Sequence, residues 1–563
     1  MANVIFNRKT FEKDIGKIDD KMQNQIALFG TTLEKLDDKE IEIEIFPNRP
    51  DLLSYQGYKR GFLAFLGRKG STGLKEYKIK KPLNDYKVII DSSVKTIRPY
   101  TACAIIKNIK LDNDKIKELI DIQEKLHLTI GRKRKKLAIG IYPLEKITLP
   151  IKYEALEPDK IKFRPLESEK EMTGLQILQR HPTGRDYAHL LAGKEKFPIF
   201  IDSNNNILSM PPIINSHLTG KVSESTKDVF IECSGFDLEV LKKCLNILIT
   251  TISDFGEKEN SIEIFQMELE YKSDKKKIIT PNLTPEKMKL NISNANKLLG
   301  LNLNEAQVKT NLEKMGYNYN IKNHEVTIPS WRTDILHEVD LIEDIAIGYG
   351  YNNFNPLIPE VSSTGKEDKN ESTKRKISQI LSGLNMLEVS NFYLTKKEDQ
   401  YKKMNIPEKN SKFIEVINSK TEYNILRQNL SHYLLKNLSE NVDSEYPQRI
   451  YETGVIFNEE SNNIYESDSL AIAITPGNFT ELKQIIDYLG NMLNLKLELK
   501  EPNENAIINN QHLIEGRIAE IYHEGKPIGF LGEVHPKILR LWKLKMPAAL
   551  LEINLESLYE KLD

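Results

Sequence analysis

Three hydrophilic breaks divide the chain before any element is assigned. Gly67 to Gly73 is a Gly/Lys/Ser stretch, Lys272 to Lys277 is a run of charge, and Ser362 to Lys376 is a long polar segment. The blocks between them carry the periodicity of buried structure, and 563 residues exceed what a single hydrophobic core organises. The expectation is a multidomain α+β chain with units at 1-75, 85-268, 278-355 and 370-563. The first reads as α/β, the second as α+β and the third as small and helix-rich.

The local patterns behind this division are specific. In Ile41-Glu42-Ile43-Glu44-Ile45 apolar and acidic residues alternate without a fault, the mark of a half-buried strand. A turn comes next at Phe46 to Pro50. Asp51 is then the expected N-cap of a helix carrying Leu52, Leu53, Gln56, Phe62, Leu63 and Leu66, which Gly67 terminates. The second block mixes strands, such as Leu137 to Ile141 and Phe197 to Asp202, with a helix over Asp237 to Ile252. In the third, Asn304 and Gln307 form a capping box for a helix whose stripe is Val308, Leu312 and Met315, with Gly316 as its stop. A strand at Val326 to Pro329 and a second helix from near His337 complete it. Strands at Ile450 to Phe457, Ala471 to Ile474 and Ile518 to Tyr522 are expected in the last block.

Composition narrows the function classes. The formal net charge is −1, so no global field draws the chain to nucleic acid, and any RNA contact must come from local patches. Three cysteines without a CxxC or Cys/His grouping exclude a disulfide scaffold and a thiolate zinc site, and suit a reducing cytosol. The first ten residues lack the apolar core of a signal peptide, and no apolar run approaches the roughly 20 residues that cross a bilayer. The expected location is cytoplasmic, with no membrane partner. GxxxxGK[ST], HExxH and GxSxG are all absent.

Four segments hold groups able to do chemistry. Asp340, Glu343 and Asp344 stand at i, i+3 and i+4, sharing one helix face opposite Val339, Ile342 and Ala346, and Asp334 lies just ahead. An all-oxygen set of this kind suits a hard cation such as magnesium, while spacing alone equally describes a solvated acidic face. Arg132 to Lys136 is a five-residue basic run, either an RNA phosphate contact or a solvated loop. His181 to His189 is dense in polar groups, with its two histidines too far apart for an i, i+4 zinc pair. Ile231-Glu232-Cys233-Ser234-Gly235 ends a strand with Glu232 and Ser234 on one face, downstream of a rigid turn at Ser209 to Ser216.

Taken in order, these strings resemble the β-subunit family of phenylalanyl-tRNA synthetases, in its archaeal and eukaryotic cytosolic form. The marks are Asn48 to Ser54, His181 to Leu191, Met210 to Asn215, Pro329 to Ile335, Asp344 to Tyr351 and Gly532 to Pro536, spread over nearly the whole chain. The resemblance implies a tRNA-associated first domain, an editing domain, a helix-rich domain bearing the acidic cluster, and a C-terminal class II synthetase-like antiparallel sheet with helices. The last lacks catalytic motifs: Arg449-Ile450-Tyr451-Glu452 is only an echo of the first motif, and Arg540 comes too late after Gly529 to Glu533. The longer bacterial subunit's N-terminal tRNA-binding and C-terminal anticodon-binding modules have no room here.

The same resemblance implies a phenylalanine–tRNA ligase β-subunit in an α2β2 assembly that binds tRNA(Phe). Activation with ATP would sit in the α-subunit. Magnesium would be held structurally by Asp334, Asp340, Glu343 and Asp344. Ser209, Glu232 and Ser234 match the positions of an editing pocket that clears tyrosyl-tRNA(Phe), a task set by pocket physics, since an apolar site rejects an added hydroxyl only about 100-fold. Archaeal members usually show Asp-x-Thr where this chain has Glu232-Cys233-Ser234. Two other readings stay open: an assembly and tRNA-binding subunit whose pocket is inactive, and a magnesium nuclease built on the acidic cluster.

Overall fold

The computed structural model describes residues 2–256, 261–358, 361–407, 412–461 and 463–559. It divides into two compact units, Met1–Leu357 and Ile358–Asp563.

In the first unit the perfect alternation at Ile41 to Ile45 becomes the strand Glu40–Ile45, with Ile41, Ile43 and Ile45 fully buried. It is the centre of a three-stranded sheet, flanked antiparallel by Ala2–Asn7 and Thr32–Leu36. The next helix starts later than its sequence suggests. Ser54, not Asp51, caps Tyr55–Phe65 by accepting from Gly57 N, and Gly67 leaves the helix at φ +66. Asp51 is instead consumed by a two-pronged ion pair from Arg49, at 2.9 Å on each prong, which outcompetes backbone capping.

The second block is one eleven-stranded sheet. Its main path runs Ile214–Asn215, Ile207–Met210, Phe197–Ile201, Ile151–Leu156, Lys87–Ile90, Glu263–Tyr271, Tyr100–Lys107, Val229–Gly235 and Leu137–Pro143. The charged run Lys272 to Lys277 does not separate domains. It is the turn of a hairpin in which Glu263–Tyr271 pairs with Lys276–Thr280, because a solvated hairpin tip and a linker have the same polar composition. The polar segment Ser362 to Lys376 is likewise partly helix, contributing to Lys369–Gly383.

The third block keeps its predicted capping box at Asn304 and Gln307 for Glu305–Lys314, and the helix Glu338–Tyr349 begins at His337. Its packing departs from the expected division into separate domains. One continuous apolar core joins Leu52 and Phe62 of the first block, Ile139 and Ile249 of the second, and Leu312 and Ile345 of the third. The expected 1-75, 85-268 and 278-355 are segments around a shared interior. Buried ion pairs bridge them as well, with Arg60 reaching Asp254 at 2.7 Å.

The second unit is a seven-stranded sheet in the order Leu387–Glu388, Gln448–Glu460, Asn463–Thr475, Ala549–Asn554, Lys526–Val534, Leu513–His523 and Leu497–Lys500. All neighbours are antiparallel except the first pair. Helices Lys369–Gly383 and Phe479–Leu493 contribute to the core on one face, and Ser431–Glu440 and Pro536–Leu541 to that on the other. No described helix is long and apolar enough to cross a membrane.

Candidate functional site

The Val229–Gly235 strand lies between Tyr100–Lys107 and Leu137–Pro143 and is buried throughout. Alternation sends Val229, Ile231 and Cys233 into the large core, while Phe230 joins a smaller one with Cys103, Tyr142 and Tyr153. Glu232 and Ser234 share the face of Phe230. Glu232 stands opposite Gly140, and that glycine makes its position possible. A Cβ at Gly140 would lie 2.1 Å from Tyr142 Oη and 2.6 Å from Glu232 Oε1.

Across this gap Tyr142 donates to Glu232 Oε1 at 3.3 Å, while Oε2 is buried with no hydrogen-bond partner. Burial pushes the Glu232 carboxyl up to about 8, with Arg98, Tyr142 and Ser234 pulling only partly the other way. At neutral pH it is therefore a neutral acid, able to donate one hydrogen bond and accept others.

The sheet curls until the two ends of its path meet. Tyr142 Oη, on one end strand, lies 3.4 Å from Asn215 Oδ1 on the other. Between the ends is a cavity of about 570 Å³, walled by Ile139 and Ile141, by Ser209, Ile213 and Asn215, by Leu119 of helix Asn113–Leu128, and floored by Glu232. Its surface is mostly apolar. Ser209 Oγ is buried beside the Tyr142 hydroxyl yet makes no well-formed hydrogen bond. His217 on the wall also has an unpaired Nδ1, and its pKa is lowered by desolvation and by the neighbouring Arg164, Lys221 and Lys146. A neutral imidazole there can take a proton from water.

The structure thus brings Ser209 and Glu232 together on the cavity wall, with Ser234 beside the Glu232 carboxyl but off the wall. The Ser234 hydroxyl accepts from Arg98 Nε at 3.2 Å, its carbonyl accepts from Arg98 Nη2 at 2.6 Å, and it does not wall the cavity. Of the polar segment His181 to His189, Thr183 reaches the cavity, whereas His181 donates to the Leu166 carbonyl at 3.1 Å. Sequence reasoning missed Tyr142, Asn215, His127 and Glu124. His127 Nε2 accepts from Ile139 N at 2.8 Å, leaving Nδ1–H to face Glu124 at 3.2 Å, and Arg134 meets the same carboxylate at 2.8 Å. Glu124 and His127 stand at i, i+3 on the helix Asn113–Leu128, whereas no spacing rule links Tyr142 and Asn215, which come from opposite ends of a curled sheet.

The acidic set is arranged differently from its expected form. Arg332 grips Asp334 by two bonds of 2.9 and 2.7 Å and reaches Asp344 at 2.6 Å, so a guanidinium stands where a cation would. Tyr317 donates to the same Asp344 oxygen. Asp340 is turned to the helix start, where its Oδ2 accepts from Leu336 N and His337 N. Glu343 alone of the four is exposed and unpaired among the described residues. Partial burial and the nearby Asp344, Asp340 and Asp334 raise its pKa. No three His, Cys, Asp or Glu side chains among the described residues are grouped to hold a metal ion. The four carboxylates therefore do not fit magnesium as one ligand set in this arrangement. Val339, placed by spacing on the apolar face, is 47% exposed.

In the second unit the arginines near the motif echo are engaged internally. Arg449 pairs with Glu481 at 2.6 Å. Arg427, wholly buried, pairs with Glu452 at 2.6 Å and donates to the carbonyls of Val455 and Asn391.

Comparison with known proteins matches three families in succession. They are the B3/4 domain over residues 93–266, the tRNA synthetase B5 domain over 288–351, and the phenylalanyl tRNA synthetase beta chain CLM domain over 355–555. That succession is the build of an aminoacyl-tRNA synthetase chain. The phenylalanine–tRNA ligase beta subunit of Thermococcus sibiricus is 38% identical over 521 residues, covering 91% of this chain and 90% of that protein. The Archaeoglobus fulgidus beta subunit is 36% identical over 98% of this chain and 97% of its own. A crystal structure of an N-terminal fragment of the Pyrococcus horikoshii phenylalanyl-tRNA synthetase beta-subunit superposes with TM-score 0.57 and 36% identity, covering 62% of this chain and 99% of the fragment. The chain belongs to the phenylalanyl-tRNA synthetase β-subunit family.

Proposed function

We propose that this chain is the proofreading partner in a two-subunit phenylalanine–tRNA ligase. An α-subunit charges tRNA(Phe) with ATP and magnesium, and this chain hydrolyses mischarged tyrosyl-tRNA(Phe) in the cavity above Glu232. The observation that carries the reading is the pair of unsatisfied buried groups, Glu232 Oε2 and Ser209 Oγ, at a mostly apolar cavity of about 570 Å³. Such a space admits a tyrosyl ring, whose phenolic oxygen would reach a carboxyl that can donate or accept. A phenylalanyl ring offers nothing there and leaves the carboxyl unpaired. A site built to bond a hydroxyl rejects the analogue lacking it by as much as 10⁴–10⁵.

The second unit serves assembly in this reading. Arg449 and Arg427 are each held by a glutamate of their own chain rather than free to clamp an ATP phosphate. Their occupation supports placing activation in the α-subunit, within an α2β2 complex.

The test is hydrolysis of tyrosyl-tRNA(Phe) against phenylalanyl-tRNA(Phe) by the co-purified complex. Selective loss of the tyrosyl ester, abolished by Glu232→Ala, is expected. A complex that charges phenylalanine yet hydrolyses neither ester would leave a subunit for assembly and tRNA binding only.

A further inference from the structure

The basic run at 132–136 is the motif that the cavity alone does not explain. It forms the loop between the helix Asn113–Leu128 and the strand Leu137–Pro143, two elements that wall the cavity. Arg132, Lys133 and Arg134 are consecutive residues at φ +46, +54 and +62. Side chains disfavour this region, and a turn needing only the shape would use glycine or asparagine. Elsewhere among the described residues the left-handed non-glycine positions stand singly, and half of them are asparagine, namely Asn108, Asn205, Asn385, Asn405, Asn418 and Asn494. Here it keeps three cations in a conformation they resist.

Arg134 explains how the loop is fixed. Its guanidinium turns inward, donating to the Ile213 carbonyl at 2.8 Å and to Glu124, with the Tyr187 ring centroid 4.5 Å away. That anchor leaves Arg132, Lys133, Lys135 and Lys136 exposed and without an ion-pair partner among the described residues. A second group of cations stands on another part of the wall. Lys221 lines the cavity, the Lys146 ammonium donates to its carbonyl at 2.9 Å, and Arg164 acts on the neighbouring His217. The carboxylates on the wall are Glu124, already paired to Arg134, Glu167, and the buried Glu232. With a chain net charge of −1, this concentration is local rather than a reflection of general basicity.

We propose that the strained turn at Arg132 to Lys136, together with Lys146, Arg164 and Lys221, seats the phosphodiester backbone of a single-stranded RNA 3′ end. The terminal aminoacyl ester of that strand enters the cavity. This rests on the proofreading reading and supplies its missing half, since an apolar pocket binds the amino acid and the rim binds the strand carrying it. Phosphate contacts of this kind are indifferent to base sequence and weaken with salt, by about 0.7 in log K per phosphate for each unit of log salt.

The experiment compares the wild-type complex with a variant carrying Arg132→Gln, Lys133→Gln, Lys135→Gln and Lys136→Gln, which removes charge without changing the backbone demand. The first readout is the KM and kcat for tyrosyl-tRNA(Phe) hydrolysis. The second is the salt dependence of binding an uncharged acceptor-stem hairpin with a single-stranded CCA end. KM is expected to rise at least about tenfold with kcat within about twofold. The salt slope should fall by about 1.4–2, the loss of two or three phosphate contacts. A control with Lys133→Arg, Lys135→Arg and Lys136→Arg, which keeps the charge, should retain the wild-type KM and slope.

Unchanged KM and unchanged slope overturn the proposal. A fall in kcat at constant KM and slope also overturns it, because it would mark the loop as merely structural. If the wild-type complex hydrolyses no tyrosyl ester, the proofreading reading fails on its own, and the hairpin slope still decides the rim.

Discussion

Glutamate at position 232 should make the protein measurably less stable than glutamine would, by an amount that grows with pH. The carboxyl is 1% exposed, and burial moves it from 4.5 in an accessible setting to about 8. Between those limits the folded chain holds a proton that the unfolded chain has released, so stability falls as pH rises from about 4.5 to about 8 and levels off above. The displacement corresponds to about 5 kcal/mol in all, at about 1.4 kcal/mol per pH unit. Glu232→Gln presents a similar neutral amide and cannot ionise. The assay is urea unfolding of wild type and variant by far-UV circular dichroism from pH 4.5 to 8.5, read as the difference between the two. Taking that difference cancels every other titration. The variant should gain relative to wild type at each step up to pH 8 and no further. Parallel curves across the range would refute the reasoning, since the Glu232 carboxyl would then ionise as freely in the folded chain as in the unfolded one.

Gly140→Ala places a methyl between Tyr142 Oη and Glu232 Oε1, and tyrosyl-tRNA(Phe) hydrolysis should drop about 100-fold or more while charging by the complex is unaffected, measured with labelled aminoacyl-tRNA. Arg332→Gln leaves Asp344 buried beside Asp334 with only the Tyr317 hydroxyl and no cation, costing about 3–5 kcal/mol in thermal unfolding. Millimolar magnesium should restore part of that loss in the variant and add little to wild type, because the guanidinium then no longer fills the cation's place. Arg427→Ala should likewise cost about 3–5 kcal/mol in the second unit by leaving the buried Glu452 with only Asn391 and no cation, read as a lower urea midpoint.

Much of the local structure was legible because it depends on neighbours in sequence. The Ile41 to Ile45 alternation, the Asn304–Gln307 box and the helix from His337 each fold as their periodicity implies. Departures arose where a competing side chain decided the outcome. Asp51 is a good N-cap by type, but Arg49 claims its carboxylate and Ser54 takes the cap. Asp334 and Asp344 look like metal ligands by spacing, yet Arg332, two residues before one and twelve before the other, holds both. In the candidate site, strand parity put Glu232 and Ser234 on one face, but whether each meets the cavity depends on Gly140 opposite one and Arg98 behind the other. Charge runs were the least informative, since Lys272 to Lys277 is a hairpin tip and Arg132 to Lys136 a strained turn, from indistinguishable composition.

The continuous core of the first unit bears on how such chains can be recombined. Segments recognisable as B3/4 and B5 look like cassettes, but Phe62, Ile249 and Leu312 belong to one apolar core, and Arg60 of one segment neutralises Asp254 of the next. Excising either segment at its sequence borders would bare apolar surface and strand charge. Swapping parts between relatives should therefore fail at the joins near residues 75 and 280, so the cavity at Glu232 is inherited with its neighbours or not at all.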